Sequence, residues 1–288
     1  MATQSQSVGM AHVVRTRADV REALALLPRP IGLVPTMGWL HAGHRSLMQR
    51  SLTENATTVV TIFVNPRQFN SPDDLARYPR NEPRDLAITA DEGVDLVFSP
   101  PVDEVYLPGF ETTVSVGPLA EVLEGAARPG HFDGVATVVA ILFNLVGADR
   151  AYFGQKDAQQ VRVIERMARD LAIATVVIPC PTVREPDGLA LSSRNALLTR
   201  EQRAAAPVVH RALLAARAAY DAGERSADRL RDAMREVLTA EPAAAPEYVS
   251  AAATDDLREL DVVEGPALLS VAVRFGSTRL IDNELIGE

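Results

Sequence analysis

Ile31-Gly-Leu-Val-Pro-Thr-Met-Gly-Trp-Leu-His-Ala-Gly-His-Arg-Ser-Leu47 is the stretch on which the reading of this chain turns. It opens on a short apolar strand, Ile31–Val34. A turn carrying Gly38 and Gly43 follows, and Leu47, Met48 and Leu52 then start the apolar pattern of a helix. Strand, glycine-bearing turn and helix start in that order make an anion site. The first N–H groups of the helix have no partner within it, and the helix dipole favours negative charge there. His41 and His44 fall on one face of that first turn. They are placed to donate hydrogen bonds to phosphate oxygens where charge develops. The stretch therefore reads as a nucleotide-phosphate site. A His-x-x-His pair also occurs in surface packing and in zinc sites. Zinc, however, asks for three or four protein ligands at short spacing, and the other histidines, His12, His131 and His210, are scattered.

Working outward, the pattern from about residue 30 to 181 alternates. Ile31–Val34, Thr57–Val64, Asp95–Phe98, Ala151–Phe153 and Thr175–Ile178 read as strands. Arg45–Glu54, Arg84–Ala90, Gly134–Leu145 and Ala158–Leu171 read as helices between them. Apolar strands alternating with amphipathic helices predict an α/β fold, a parallel sheet covered on both faces. Ligands bind such sheets at the carboxyl ends of the strands. The polar segments after the strands all fall there: His41 to His44, Asn65-Pro-Arg-Gln-Phe69, Gly154-Gln-Lys-Asp157 and Arg184 to Asn195.

The texture changes after about residue 186. Glu201–Ala222 is alanine-rich and helical, and Ser226–Ala240 is a second helix with Ser226 as its N-cap. Glu241-Pro-Ala-Ala-Ala-Pro246 reads as a linker. Tyr248–Ala252, Ala267–Val273 and Thr278–Ile281 read as strands. The expected division is residues 1–185 as the α/β domain and 186–288 as a smaller α+β domain.

Composition narrows the class. A chain of 288 residues with 47% hydrophobic content can bury one large or two modest cores. A formal net charge of −9 argues against a nucleic-acid partner, which needs a basic stripe, but leaves room for a small anion at a locally positive site. The single cysteine, Cys180, reads as a buried structural thiol and suits a reducing compartment. Met1–Ser7 does not read as a signal peptide, and the apolar run Val135–Val146 is too short for a membrane span. A cytoplasmic protein without a membrane partner is expected.

Each remaining motif has two readings. Lys156 after a strand is a point charge for phosphate, with Asp157 on a ribose hydroxyl or orienting the lysine; the pair is equally an ordinary surface ion pair. Ser192, Ser193 and Asn195 suit helix caps, and Arg194 beside them suits a phosphate grip. Asn65 and Gln68 suit either a turn or an amide grip on a carboxylate or hydroxyl.

Six segments in this order resemble one family, the pantoate–β-alanine ligases. They are Pro35-Thr-Met-Gly-x-Leu-His-x-Gly-His44, Ile62-Phe-Val-Asn-Pro-x-Gln-Phe69, Gly154-x-Lys-Asp-x-Gln-Gln160, Pro181-Thr-Val-Arg-Glu185, Asp187-Gly-Leu-Ala-x-Ser-Ser-Arg-Asn195 and the ending Gly276-Ser-Thr-Arg-Leu-Ile-Asp-Asn283. The resemblance implies a Rossmann-like domain and a C-terminal domain that closes over ATP. It implies an ATP- and Mg2+-dependent condensation of pantoate with β-alanine through a pantoyl-adenylate, releasing AMP and pyrophosphate, in a cytoplasmic homodimer. By motif, Met37, Gly38, Trp39, Leu40, His41, Ala42, Gly43 and His44 would line the ATP site. Gly154, Gln155, Lys156, Asp157, Val183, Leu191, Ser192, Ser193 and Arg194 would complete it. His41, His44, Lys156, Ser192, Ser193 and Arg194 would act on the reacting phosphates. Gln68, Gln160 and Asn65 would bind substrate, with Arg128 as a further phosphate contact. No metal ligand is assigned.

The chain departs from the family pattern at Gln155, where Glu is usual, and at Leu191, where Met is usual. Trp39 is bulkier than expected, and Arg84 stands where an acidic residue is common, which removes support for a carboxylate–magnesium site beside Asp85. Two other readings stay open on the residues alone. One is a nucleotidyltransferase that moves AMP or CMP onto a phosphorylated acceptor; the other is a non-catalytic nucleotide sensor. The uncharged amides of Asn65, Gln68 and Gln160 favour a small hydroxy acid over a phosphorylated acceptor.

Overall fold

A computed structural model describes residues 12–287. The N-terminal stretch read for a leader lies outside them. The elements run β1 (His12–Val14), α1 (Arg17–Ala25), β2 (Ile31–Thr36), α2 (Ala42–Glu54), β3 (Thr57–Ile62), α3 (Pro72–Arg77), α4 (Glu82–Glu92), β4 (Leu96–Phe98), α5 (Val102–Val105), α6 (Glu124–Ala127), α7 (His131–Val146), β5 (Arg150–Gly154), α8 (Ala158–Asp170) and β6 (Val176–Cys180). After them come α9 (Arg200–Ala205), α10 (Val208–Asp221), α11 (Ala227–Thr239), β7 (Ala245–Ala253), β8 (Ala267–Phe275) and β9 (Thr278–Ile286).

The first six strands form one parallel sheet in the order β1-β4-β3-β2-β5-β6. Both faces are buried, so alternate residues of one strand join different cores. Leu33, Val59, Leu96 and Phe98 pack with α1, α7 and α8. Val34, Val60 and Val97 pack with Leu47 and Met48 of α2 and with Leu86 of α4. This is why the strands read as continuous apolar runs. From β2 the chain steps outward to β3 and β4, then returns to place β5 on the other side of β2. The crevice outside β2 and β5 is therefore the point where strand order reverses, the place such sheets bind ligands.

The strand β1 and helix α1 have no counterpart in the sequence reading. Three residues are too few for periodicity to register, and β1 is held by pairing with β4, about eighty residues on in sequence. The apolar run Val135–Val146 is part of α7, a buried helix on the sheet. Among the described residues no helix is long and apolar enough to cross a membrane.

The second sheet is antiparallel, in the order β7-β8-β9, with α10 and α11 packed on one face. Two boundaries differ from the sequence reading. The helix expected over Glu201–Ala222 is broken into α9 and α10 at Pro207, which has no N–H to continue the ladder. The expected linker 241–246 ends inside β7, which begins at Ala245. Pro246 is tolerated because β7 is an edge strand and its register shifts between Pro246 and Tyr248.

The two sheets meet in two ways. Leu257, Leu268 and Leu285 of the C-terminal part join the apolar core of the first sheet. Nearer the crevice the contacts are polar. Arg279 grips Glu124 at 2.5 and 2.8 Å, Tyr248 donates to Glu124 at 2.8 Å, and Arg184 grips Asp282 at 2.5 and 3.1 Å.

Close packing of α7 on the turn after β3 fixes one wall of the crevice. A Cβ on Gly134 would come within 2.3 Å of the Arg67 carbonyl oxygen and 2.8 Å of the Gln68 nitrogen. Gly134→Ala must push α7 off that turn. It should lower stability by about 1–3 kcal/mol, the usual cost of overpacking, read as a fall in the urea midpoint. An unchanged midpoint would show that the turn yields freely.

Candidate active site

The helix α2 begins as the sequence predicts. His41 is its N-cap and His44 sits in its first turn. Their ring nitrogens cap the helix. The Gly43 N–H donates to His41 Nδ1 at 3.2 Å, and the His41 N–H donates to His44 Nδ1 at 3.3 Å. A nitrogen that accepts carries no proton, so each neutral ring has its proton on Nε2. The rings lie 4.1 Å apart, centre to centre. Burial lowers the His41 pKa to about 4, with Lys156 adding to the shift; burial lowers that of His44 to about 3, with His41 adding to it. The pair is thus two neutral Nε2–H donors at a helix N-terminus.

The loop before α2 is clamped from outside by α4. The buried Asp85 carboxylate accepts the N–H groups of Trp39 at 2.7 Å and Leu40 at 2.8 Å. Arg84 donates to the Leu40 carbonyl at 2.9 Å, and its guanidinium lies over the Trp39 ring at 5.3 Å. Gly38 and Trp39 both have positive φ, 77° and 51°. These contacts explain two of the departures. Asp85 is committed to backbone N–H groups, and Arg84 holds the loop and Trp39. The Trp39 side chain, like Gly38, Leu40 and Ala42, is absent from the residues lining either cavity.

Two connected cavities open at the strand-order reversal. The smaller, about 250 Å3, is lined by Met37, His41, Gly43 and His44 on one side. Val135, Val138, Val139 and Leu142, one stripe of α7, form an apolar wall, and Gln68 and Gln160 provide amides. The larger, about 970 Å3, lies between the two sheets. Tyr78, Arg128, His131, Lys156, Asp157, Gln160, Ser192, Ser193 and Arg194 line both and so mark the junction. Gly154, Val183 and Leu191 line the smaller cavity. Gln155 lines neither, and its Nε2 is buried without a partner among the described residues.

Asn65 also lines the smaller cavity, but its amide is fully engaged. It donates to Gln68 Oε1 at 2.9 Å and to the Gly134 carbonyl at 3.1 Å, and accepts from Tyr106 at 2.7 Å and from the Arg67 N–H at 3.2 Å. Asn65 holds the Gln68 oxygen, which leaves the Gln68 NH2 group as the part of that amide not used in this bond. Ser192 accepts the Arg194 N–H at 3.3 Å and so caps the turn Ser193–Leu197. The cap and the grip readings of this motif are compatible: the cap uses Ser192, and Arg194 still faces the cavities. Lys156 Nζ lies 3.6 Å from Asp157.

Two residues at the junction, Tyr78 and His131, are not among the site residues of the sequence reading, which counts His131 as a scattered histidine. Tyr78 lines both cavities beside Ser193, and burial raises its pKa. His131 Nδ1 lies 2.7 Å from the Gln68 carbonyl, and burial first, then Arg128, lowers its pKa to about 4. Arg128, which the family motif does suggest, donates to the same carbonyl at 3.2 Å. The one local signal for His131 is its position after Pro129-Gly130 at a helix start. Among the described residues no group of three His, Cys, Asp or Glu is placed to hold a metal. Cys180 is buried, which raises its pKa.

Comparisons with known proteins agree with this fold. A sequence model of the family described as pantoate-beta-alanine ligase matches residues 12–285. A pantothenate synthetase of Roseiflexus castenholzii is 58% identical over 271 residues, 94% of this chain and 98% of that protein. The crystal structure of pantothenate synthetase from Thermus thermophilus is 49% identical, with a TM-score of 0.90 over 95% of this chain and 98% of that one. The structure of a pantoate-beta-alanine ligase from Francisella tularensis, complexed with beta-gamma ATP and beta-alanine, is 33% identical, with a TM-score of 0.77 over 96% of this chain and 97% of that one.

The lowered histidine pKa values set a pH window. From pH about 6.5 down to about 4 the unfolded chain binds protons that the folded chain does not. Stability should therefore be highest above pH 6.5 and fall as pH drops through that window. NMR titration should show no inflection near pH 6.5 for His41 or His44. An inflection there would mean that the pair is charged near neutral pH.

Proposed function

Since the chain belongs to the pantoate–β-alanine ligase family and is an ATP-dependent ligase of pantoate and β-alanine, we propose that the condensation runs through a pantoyl-adenylate formed at the junction of the two cavities. One observation carries this reading. Two neutral Nε2–H donors line the smaller cavity, and the cations Lys156 and Arg194 line it too at the point where it opens into the larger one.

The two cavities together suit the partners of the reaction. The α7 stripe of Val135, Val138, Val139 and Leu142 fits the gem-dimethyl group of pantoate. Gln68 and Gln160 hold its hydroxyl and carboxylate oxygens, and Asn65 acts from behind by orienting Gln68. ATP spans the two: Met37, Gly43, Gly154, Val183 and Leu191 of the smaller cavity line part of it, and it reaches through the junction toward the larger one. A carboxylate is a poor electrophile, so its oxygen first attacks the α-phosphate and pyrophosphate leaves. Negative charge grows on the phosphate oxygens. His41, His44, Lys156, Ser192, Ser193 and Arg194 neutralise it from fixed positions, with Arg128 as a further contact. The β-alanine amine then attacks the acyl carbon and AMP leaves. Neutral imidazoles suit this task because they donate without needing to be protonated at pH 7.

Magnesium would enter with ATP and would supply positive charge at the phosphates. The donor set supports this, since Asp85 is committed to the 39–40 loop. The part built on β7 to β9, residues 186–288, serves as the lid that keeps the adenylate from water. We place the enzyme in the cytoplasm as a homodimer. Val176, 56% exposed on the edge strand β6, and Leu171, 53% exposed, offer apolar surface for a second copy.

Two experiments test the reading. Pantoate and Mg-ATP without β-alanine should support exchange of labelled pyrophosphate into ATP, and adding β-alanine should release AMP. ADP as the stoichiometric product, or no exchange before the amine is added, would sink the adenylate. Separately, Gln68→Ala or Gln160→Ala should weaken pantoate binding by about 1–3 kcal/mol, the cost of an unpaired buried partner, with ATP affinity nearly unchanged. Calorimetry showing the reverse pattern would mean the pocket assignment is the wrong way round.

A further inference from the structure

We propose that Asn283, on the far strand of the second sheet, is a positioning residue for Lys156. Asn283 is buried on β9, yet its side chain serves the first sheet. Its Nδ2 donates to the carbonyl oxygens of Gln155 and Lys156, each at 2.9 Å. Both carbonyls belong to the turn Gln155–Asp157, which follows β5 at the strand-order reversal. One amide group thus fixes the backbone from which the Lys156 side chain starts.

Asn283 is itself held in place. Its N–H donates to Asp282 Oδ1 at 2.9 Å, and the buried Asp282 carboxylate accepts both arms of Arg184. Arg184 bridges to Ala190 at the base of the loop that leads to Ser192 and Arg194. Two adjacent residues of β9 therefore fasten both loops that carry phosphate-facing groups. A lysine ammonium is a point charge on a flexible stem, with no fixed fork of its own to set direction. Where it sits is decided by its backbone anchor. A shift of about 1 Å at that anchor moves the charge off the developing phosphate charge, and misplacement on this scale costs about 100-fold in rate.

The inference rests on the reading of Lys156 as a phosphate ligand. Pantoate-dependent pyrophosphate exchange is measured for the full-length chain, for Asn283→Ala, for Lys156→Ala and for the double variant, with thermal unfolding as a fold check. Asn283→Ala should lower the exchange kcat about 10–100-fold, with KM for pantoate changed by less than about threefold. If Asn283 acts through Lys156, the double variant should be no more than about threefold slower than Lys156→Ala alone, because coupled residues are not additive. Effects that multiply in the double variant, or an unchanged kcat in Asn283→Ala, would overturn the proposal. Should Asn283→Ala not fold, Asn283→Asp, which keeps the volume but replaces donors with acceptors, is read in the same way. Full activity in Lys156→Ala alone would instead overturn the underlying role of Lys156, and the single variant separates that failure from a failure of positioning.

Discussion

Every helix starts with N–H groups that nothing inside it can satisfy. At α2 the partners are the imidazole nitrogens of His41 and His44. Much of the site follows from that. The cap uses Nδ1 in each ring, so the proton is on Nε2. The cap also holds the rings in the turn, where burial keeps them neutral. A single local requirement of helix geometry thereby sets the tautomer, charge and direction of two donors. The outer clamp of Asp85 and Arg84 keeps the loop in the left-handed backbone that brings the cap into register.

The cations work by charge. Lys156 and Arg194 face the cavities on a protein whose formal net charge is −9. A small number of cations at one crevice is enough, because several nearby carboxylates are occupied: Glu124 by Arg279, Asp282 by Arg184, and Glu247 by Arg274 and Arg279. Neutral donors together with cations suit a phosphate whose charge is redistributed during reaction. Cations alone would also hold the departing pyrophosphate tightly and slow its release.

Much of this is legible in the chain because it is local. The apolar strands, the His41–His44 helix start and the loops after β3, β5 and β6 all announce themselves within about ten residues. What escapes is long-range or short. The strand β1 has three residues and exists through its pairing with β4. Asp85 enters the sequence reading only through a magnesium site that Arg84 argues against, until the fold sets it under Trp39 and Leu40, 46 and 45 residues away. Trp39 reads as a bulky lining residue of the ATP site, whereas its ring lies against Arg84. Asn65 and Gln68 read as equal candidates, and only the hydrogen bond between them shows that one orients the other. The ending Gly276–Asn283 resembles a family motif, but its residues have meaning only against Glu124, Arg184 and the carbonyls of Gln155 and Lys156.

The join between the two sheets is uneven. Leu257, Leu268 and Leu285 share the first sheet's core, while the cleft side is held by Arg279 on Glu124, Arg184 on Asp282 and the Asn283 amide. Separating the leucines exposes apolar area to water, and nothing in solution replaces it. Separating the polar contacts exchanges them for hydration, at a much smaller net cost. The same pair of surfaces thus has a stiff end and a soft end. Leu268 reaches the larger cavity as well, so the apolar join and the polar one both border it.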